Sequence, residues 1–314
     1  MATVMINSNE IIDAKFWRDE LCPVNYETGD TLPDGGVVYV NIEHITDFFK
    51  KCKQTTREFT VVSAYSDFGL AIQEEHPVSI DMIKWWPFVS HEVPKLGYND
   101  LHVPSRCEKE RCNIDDTYSI KCYAYTLSTF GEIPKNIKRW YLSNSMTKED
   151  VISGIPMGVG EGDADIISST PIVEFNDKKN LLYANWQTYT TERVHLKNFL
   201  EEQKYPYVTY RKSPTVPKDE YLRELAEHHF VMCPEGNGVD CHRIWEAIYL
   251  GVIPIVLDSP TMSSLEGLPI IRVNDFFQLN EHNLLNVLNE VKDKKLNLEK
   301  MTKSYWKQEI LNGH

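Results

Sequence analysis

The 314-residue sequence predicts an α/β protein with two Rossmann-like halves. Short apolar runs alternate with helical patterns along the chain, the signature of strands joined by helices. The chain is also longer than one hydrophobic core fills, since single cores stop growing near ~250 to 300 residues. A third observation sets the division. Residues 153–165 are rich in glycine and acidic side chains and read as a connector. The expected units are therefore an N-terminal domain, residues 1–160, and a C-terminal domain, residues 161–314.

In the first half, strand signals fall at 37–40, 60–64 and 139–142, each rich in β-branched or aromatic residues. In the second half they fall at 181–184, 207–210, 230–233, 253–257 and 270–273. A last helix is expected over about 298–311, and Tyr305 and Trp306 suit it to pack back on the first domain.

The densest pattern lies between residues 230 and 257 and reads as strand, glycine loop, helix, strand. The first run stops at Pro234, which has no amide hydrogen to continue a central strand. Gly236, Asn237 and Gly238 tolerate positive φ, so successive amides could converge on an anion before a helix begins. Asp240 is the expected N-cap, the helix should run over about 241–250, and Gly251 should close it. Arg243 and Glu246 share one helix face, while Ile244, Ala247 and Ile248 turn to the sheet. Near the strand ends, a guanidinium can hold a diphosphate and a carboxylate one turn later can accept from two ribose hydroxyls. An ordinary surface ion pair between them is the simpler reading.

The run Pro234-x-Gly-x-Gly-x-Asp-x-x-Arg-x-x-Glu-Ala-x-x-x-Gly-x-Ile-Pro-Ile resembles the donor-site signature of the exostosin-type glycosyltransferases, family 47. Lys179 to Trp186 with Thr191-Glu192-Arg193 is similar to the first strand and loop of that family's C-terminal domain, and Glu220 to Phe230 to the helix before the motif. Residues 61–67 and 133–141 resemble family segments more loosely. The resemblance implies a GT-B architecture, two Rossmann-like domains facing across a cleft, with an acceptor side in the N-terminal domain and a nucleotide-sugar donor held by the C-terminal one. It implies inverting transfer to a glycan hydroxyl without an obligatory metal. UDP is the nucleotide suggested by family precedent, with xylose among several open sugars.

Without a metal, positive charge on the departing diphosphate must come from arginines, amides and a helix N-terminus. Arg243 is the first candidate and Arg193 the second. His242, beside Arg243, could reach the phosphate or remain in solvent. Asn185 could hydrogen-bond phosphate or base, or order its own loop, and Arg211 could read the nucleobase. An inverting reaction also needs a base on the acceptor side. Asp67, past a strand and before Phe68-Gly69, is the choice, with a turn cap as its structural reading. His76, His91 and His102 are rivals, and Trp85-Trp86-Pro87-Phe88 is either core or a sugar-stacking wall.

Other chemistries find less support. Asp115-Asp116 lacks the spacing of a metal motif, and His102, Cys107, Cys112 and Cys122 lack the paired spacing of a zinc site, so no metal or other cofactor is expected. The net charge of −13 argues against nucleic acid and anionic membranes. No apolar run is long enough to span a bilayer, residues 1–10 lack a leader pattern, and seven cysteines without framework spacing fit a reducing compartment. A soluble, cytosolic enzyme of a bacterial or viral type is expected. Two alternatives stay open: a catalytically inactive sugar- or nucleotide-binding protein of the same fold, and a transferase using GDP-fucose.

Overall fold

The structure, a computed structural model, describes residues 6–64, 70–71, 125–126, 132–145, 150–187, 191–211, 216–236, 238–259, 261–262, 265, 267–291 and 298–312. In chain order the principal elements of the first half are β1 (Val24–Tyr26), β2 (Gly36–Val40), α1 (Ile45–Cys52), β3 (Phe59–Ser63), β4 (Leu70–Ala71), β5 (Tyr125–Thr126), β6 (Ile137–Leu142) and β7 (Ile152–Gly154). Those of the second are α2 (Asp163–Ser169), β8 (Asn180–Ala184), α3 (Thr191–Gln203), β9 (Val208–Tyr210), α4 (Lys218–Ala226), β10 (His228–Met232), α5 (His242–Tyr249), β11 (Ile253–Leu257), β12 (Ile271–Val273), α6 (Glu281–Val291) and α7 (Lys303–Asn312).

Two five-stranded sheets result, both parallel throughout: β1-β2-β3-β6-β7 and β12-β11-β10-β8-β9. Parallel strands need covered faces, and alternate residues of each strand supply two buried layers. In the first sheet Val38, Val40, Val61, Trp140 and Leu142 pack with Phe48 and Phe49 of α1. The opposite residues Tyr39, Val62 and Tyr141 pack with Phe16 and Trp17. The spacing Ile45, Phe48, Phe49, Cys52 gives α1 one apolar stripe. In the second sheet Tyr183, Val231 and Val256 pack with Leu222, Leu225, Ile244 and Ala247 on one side. Leu182, Phe230, Met232 and Ile255 pack with Leu196, Phe276 and Leu284 on the other.

Every strand expected from sequence is present, with shifts of a residue or two at the ends. Four of the described strands are additional: β4 and β5, which pair with each other, and the edge strands β1 and β7. β1 and β7 are three residues each and form the edges of the first sheet, where a short run carries too little apolar pattern to be read alone. The connector is accordingly corrected: Ser153 and Gly154 belong to β7, and α2 begins at Asp163. Trp306 of α7 meets Trp17 edge-on with ring centroids 5.4 Å apart, in an apolar cluster that also holds Tyr39, Val62 and Tyr141.

Among the described residues no helix is long and apolar enough to cross a membrane. Asp67, Asn237, His76, His91, His102, Asp115, Asp116, Cys107, Cys112, Cys122 and the 85–88 aromatic run lie outside the described residues.

Candidate functional site

The second sheet reverses its winding between β8 and β10. From β8 the chain passes outward to β9, then returns to β10 on the other side and continues to β11 and β12. Such a switch point leaves a crevice at the carboxyl ends of the two strands, where open α/β sheets bind ligands. The first sheet has no such reversal among its described strands. An open cavity of about 330 Å³ lies at this position. Asn185, Trp186 and Gln187 line it after β8, Cys241, His242, Arg243 and Glu246 line it from the start of α5, and Lys218 and Tyr221 line it from α4.

Arg193 fastens the two loops that form the crevice. One of its terminal nitrogens donates to Pro234 O at 2.9 Å and the other to Gln187 O at 3.2 Å, while its own carbonyl accepts from Trp186 Nε1 at 3.1 Å. Gly236 packs closely against this arginine, a relationship the sequence does not suggest. Its φ is not positive; a Cβ there would sit 3.1 Å from the Arg193 guanidinium, which would have to shift by a few tenths of an ångström to admit it. Its amide donates to Gly238 O at 3.0 Å, closing the loop on itself instead of presenting that N–H to a ligand.

Asp240 is not the N-cap of α5. That position falls to Cys241, whose side chain makes no capping bond. Asp240 is fully buried, and its two oxygens accept from Met157 N at 2.8 Å and Trp245 Nε1 at 2.7 Å. Burial pushes its carboxyl up to about 7, against the pull of those donors. His242 Nδ1 lies 2.7 Å from Gly158 O, so that nitrogen carries a proton and donates. This contact settles the solvent alternative for one edge of the ring.

Arg243 differs from every other cation of the crevice. Arg193 is bonded to backbone oxygens and Lys218 to carboxylates. Arg243 forms no hydrogen bond or ion pair among the described residues, and its Nε is buried without an acceptor. A half-buried guanidinium left so is costly unless an anion joins it. The ordinary Arg243–Glu246 ion pair is not made. Glu246 Oε1 instead lies 2.5 Å from Lys218 Nζ, and Asp163 Oδ2 holds the same ammonium at 2.7 Å.

Asn185 is buried and its Nδ2 donates to Tyr183 Oη at 3.1 Å. Arg211 pairs with Glu220 and Glu224 and does not line the cavity; Nε donates to Glu224 Oε2 at 2.9 Å. Lys218 and Tyr221 were not singled out from sequence. Lys218 opens α4 directly after Pro217, at a position where sequence pattern alone cannot tell a solvated lysine from one folded beneath a cavity.

Residues 191–268 match the family model of the RXYLT1 C-terminal domain, about a quarter of the chain. The matched span holds Arg193, Lys218, Gly236, His242, Arg243 and Glu246. No curated protein matches the chain.

Proposed function

We propose that this protein is a glycosyltransferase, xylosyltransferase-like, that takes a sugar from a nucleoside diphosphate and passes it to a hydroxyl of a glycan. The observation that carries the reading is Arg243, whose guanidinium has no hydrogen-bond or ion-pair partner among the described residues and lies beside a cavity at the sheet's switch point. The RXYLT1 match over the same residues supports the activity class and the choice of xylose. In this reading Arg243 takes the diphosphate bidentately, the N-terminus of α5 adds its partial positive charge, and His242, held through Nδ1 to Gly158 O, donates from Nε2 only as the imidazolium. Arg193 sets the loops around them, and Glu246 receives the ribose.

The transfer is proposed to be inverting and metal-independent, in a GT-B arrangement. An acceptor oxygen attacks the anomeric carbon from the face opposite the diphosphate, the glycosidic bond to phosphate breaks, and the charge that develops on the leaving oxygen falls on Arg243. A base on the acceptor side removes the hydroxyl proton. Asp67, four residues after the end of β3 in sequence, is proposed for that role.

The test is ligand-dependent thermal stability with UDP, GDP, CDP and dTDP, with and without EDTA, in wild type and Arg243→Ala. A ligand at 100 times its Kd adds about 2.7 kcal/mol to the stability of the folded state. A rise in Tm with UDP that survives EDTA and is absent in Arg243→Ala supports the proposal. Stabilisation by GDP alone would redirect it to a GDP-sugar, and no stabilisation by any nucleotide would remove it.

A further inference from the structure

On the donor-site reading, Arg243 is left without an ion pair to Glu246, its neighbour one turn along α5. Residues three apart on a helix are within reach of each other, and an Arg and a Glu so placed ordinarily pair. Here they do not. Lys218, projecting from the start of α4, takes Glu246 Oε1 at 2.5 Å. Asp163, at the start of α2, holds the other side of the same ammonium at 2.7 Å. Glu246 is nearly buried, with a side chain 6% exposed, so the pairing is made away from bulk screening.

The consequence is a cavity with two unlike ends. Between two carboxylates the charge of Lys218 is already answered, so Lys218 is a poor phosphate ligand. Arg243, with no carboxylate paired to it among the described residues, is a good one. We infer that Lys218 is a positioning residue that keeps Glu246 off Arg243, so that the guanidinium is open to a diphosphate and the carboxylate is held for the hydroxyl groups of the same ligand. Without the ammonium, Glu246 would turn to Arg243 and close the anion end from within.

Inorganic pyrophosphate isolates the anion end from ribose and base. Its affinity, with that of UDP, would be measured by titration calorimetry for wild type, Lys218→Met, Glu246→Gln and the double variant, with circular dichroism confirming the fold of each. Lys218→Met should bind pyrophosphate about tenfold more weakly, because its carboxylate now competes for Arg243. Glu246→Gln alone should bind pyrophosphate as wild type does. The double variant should recover wild-type pyrophosphate affinity, since no carboxylate remains to compete, while UDP stays weak for want of Glu246.

A double variant as weak as Lys218→Met would mean that Lys218 contacts the phosphate directly and would overturn the inference, as would undiminished pyrophosphate binding in Lys218→Met. Loss of pyrophosphate binding in Glu246→Gln, which reads out even where Lys218→Met does not fold, would overturn it too. If folded wild type bound neither pyrophosphate nor any nucleotide, the donor-site reading itself would fail and this inference with it.

Discussion

The backbone amide of Asp240 donates to Asn144 Oδ1 at 2.7 Å, and Asn144 holds a left-handed φ of 54° to offer that oxygen. One residue from the turn after β6 thus fixes the segment between the glycine loop and α5. Met157 N and Trp245 Nε1 complete the setting by donating to the Asp240 carboxylate. The site is therefore framed partly by the first half of the chain.

Asp240 should make stability depend on pH. Its carboxyl titrates near 7 when folded and near 3.8 ordinarily. Below the lower value both states hold the proton, and between the two values only the folded state does. Stability from this group is therefore present at low pH and is lost as pH rises toward 7. Buried His228 acts oppositely: with a folded value of about 4 against 6.5, its contribution is lost as pH falls through that window. The Asp240 component is read as the difference between wild type and Asp240→Asn in Tm over pH. A difference curve that is flat from about pH 4 to 7 would contradict the assignment.

Arg243→Lys should be a partial loss and Arg243→Ala a nearly complete one. Lysine keeps the charge but not the planar pair of donors. Losses of about tenfold and about 100-fold in UDP affinity by calorimetry are expected, following the strength of charge-assisted bonds. Equal losses would mean that fork geometry is the whole of the interaction.

Gly158→Ala should destabilise the protein by at least about 2 kcal/mol, through backbone strain and collision together. Gly158 has φ 81°, and a Cβ there would lie 2.4 Å from Ile12 O. Because Gly158 O is the partner of His242 Nδ1, the change should also disturb the cavity rim. Urea unfolding of the variant measures the first effect, and UDP titration of its folded form the second.

Trp306→Ala should cost about 3–5 kcal/mol, the usual range for emptying a buried aromatic site. Its ring packs on Trp17, and its Nε1 donates to Lys300 O at 2.9 Å. Leu311→Ala, on the same helix but 43% exposed, should stay within about 0.5 kcal/mol. Similar midpoints for the two variants in denaturant would show that α7 is not anchored through Trp306.

α5 and β11 were legible because apolar spacing, Gly251 and an unbroken β-branched run agree on them, and Gly251 takes the left-handed φ of 65° that a helix stop requires. β1 and β7 were not, since three residues at a sheet edge acquire their identity from the neighbour they pair with. Local order alone makes Asp240 a helix cap, the common role of an Asp before a helix, but contacts 83 and 96 residues away in sequence draw it elsewhere.

By itself the sequence determined the α/β class, the order of most strands and helices, and the presence of a guanidinium and a carboxylate on one face of α5. These are local matters, set by side-chain period, backbone freedom and helix geometry. Tertiary structure alone decided which charges are answered. Arg243 and Glu246 look like partners in one dimension, yet Lys218, 28 residues before Glu246, and Asp163 divert the carboxylate. Which of several charges pair depends on distances across loops, and sequence spacing carries no record of those distances.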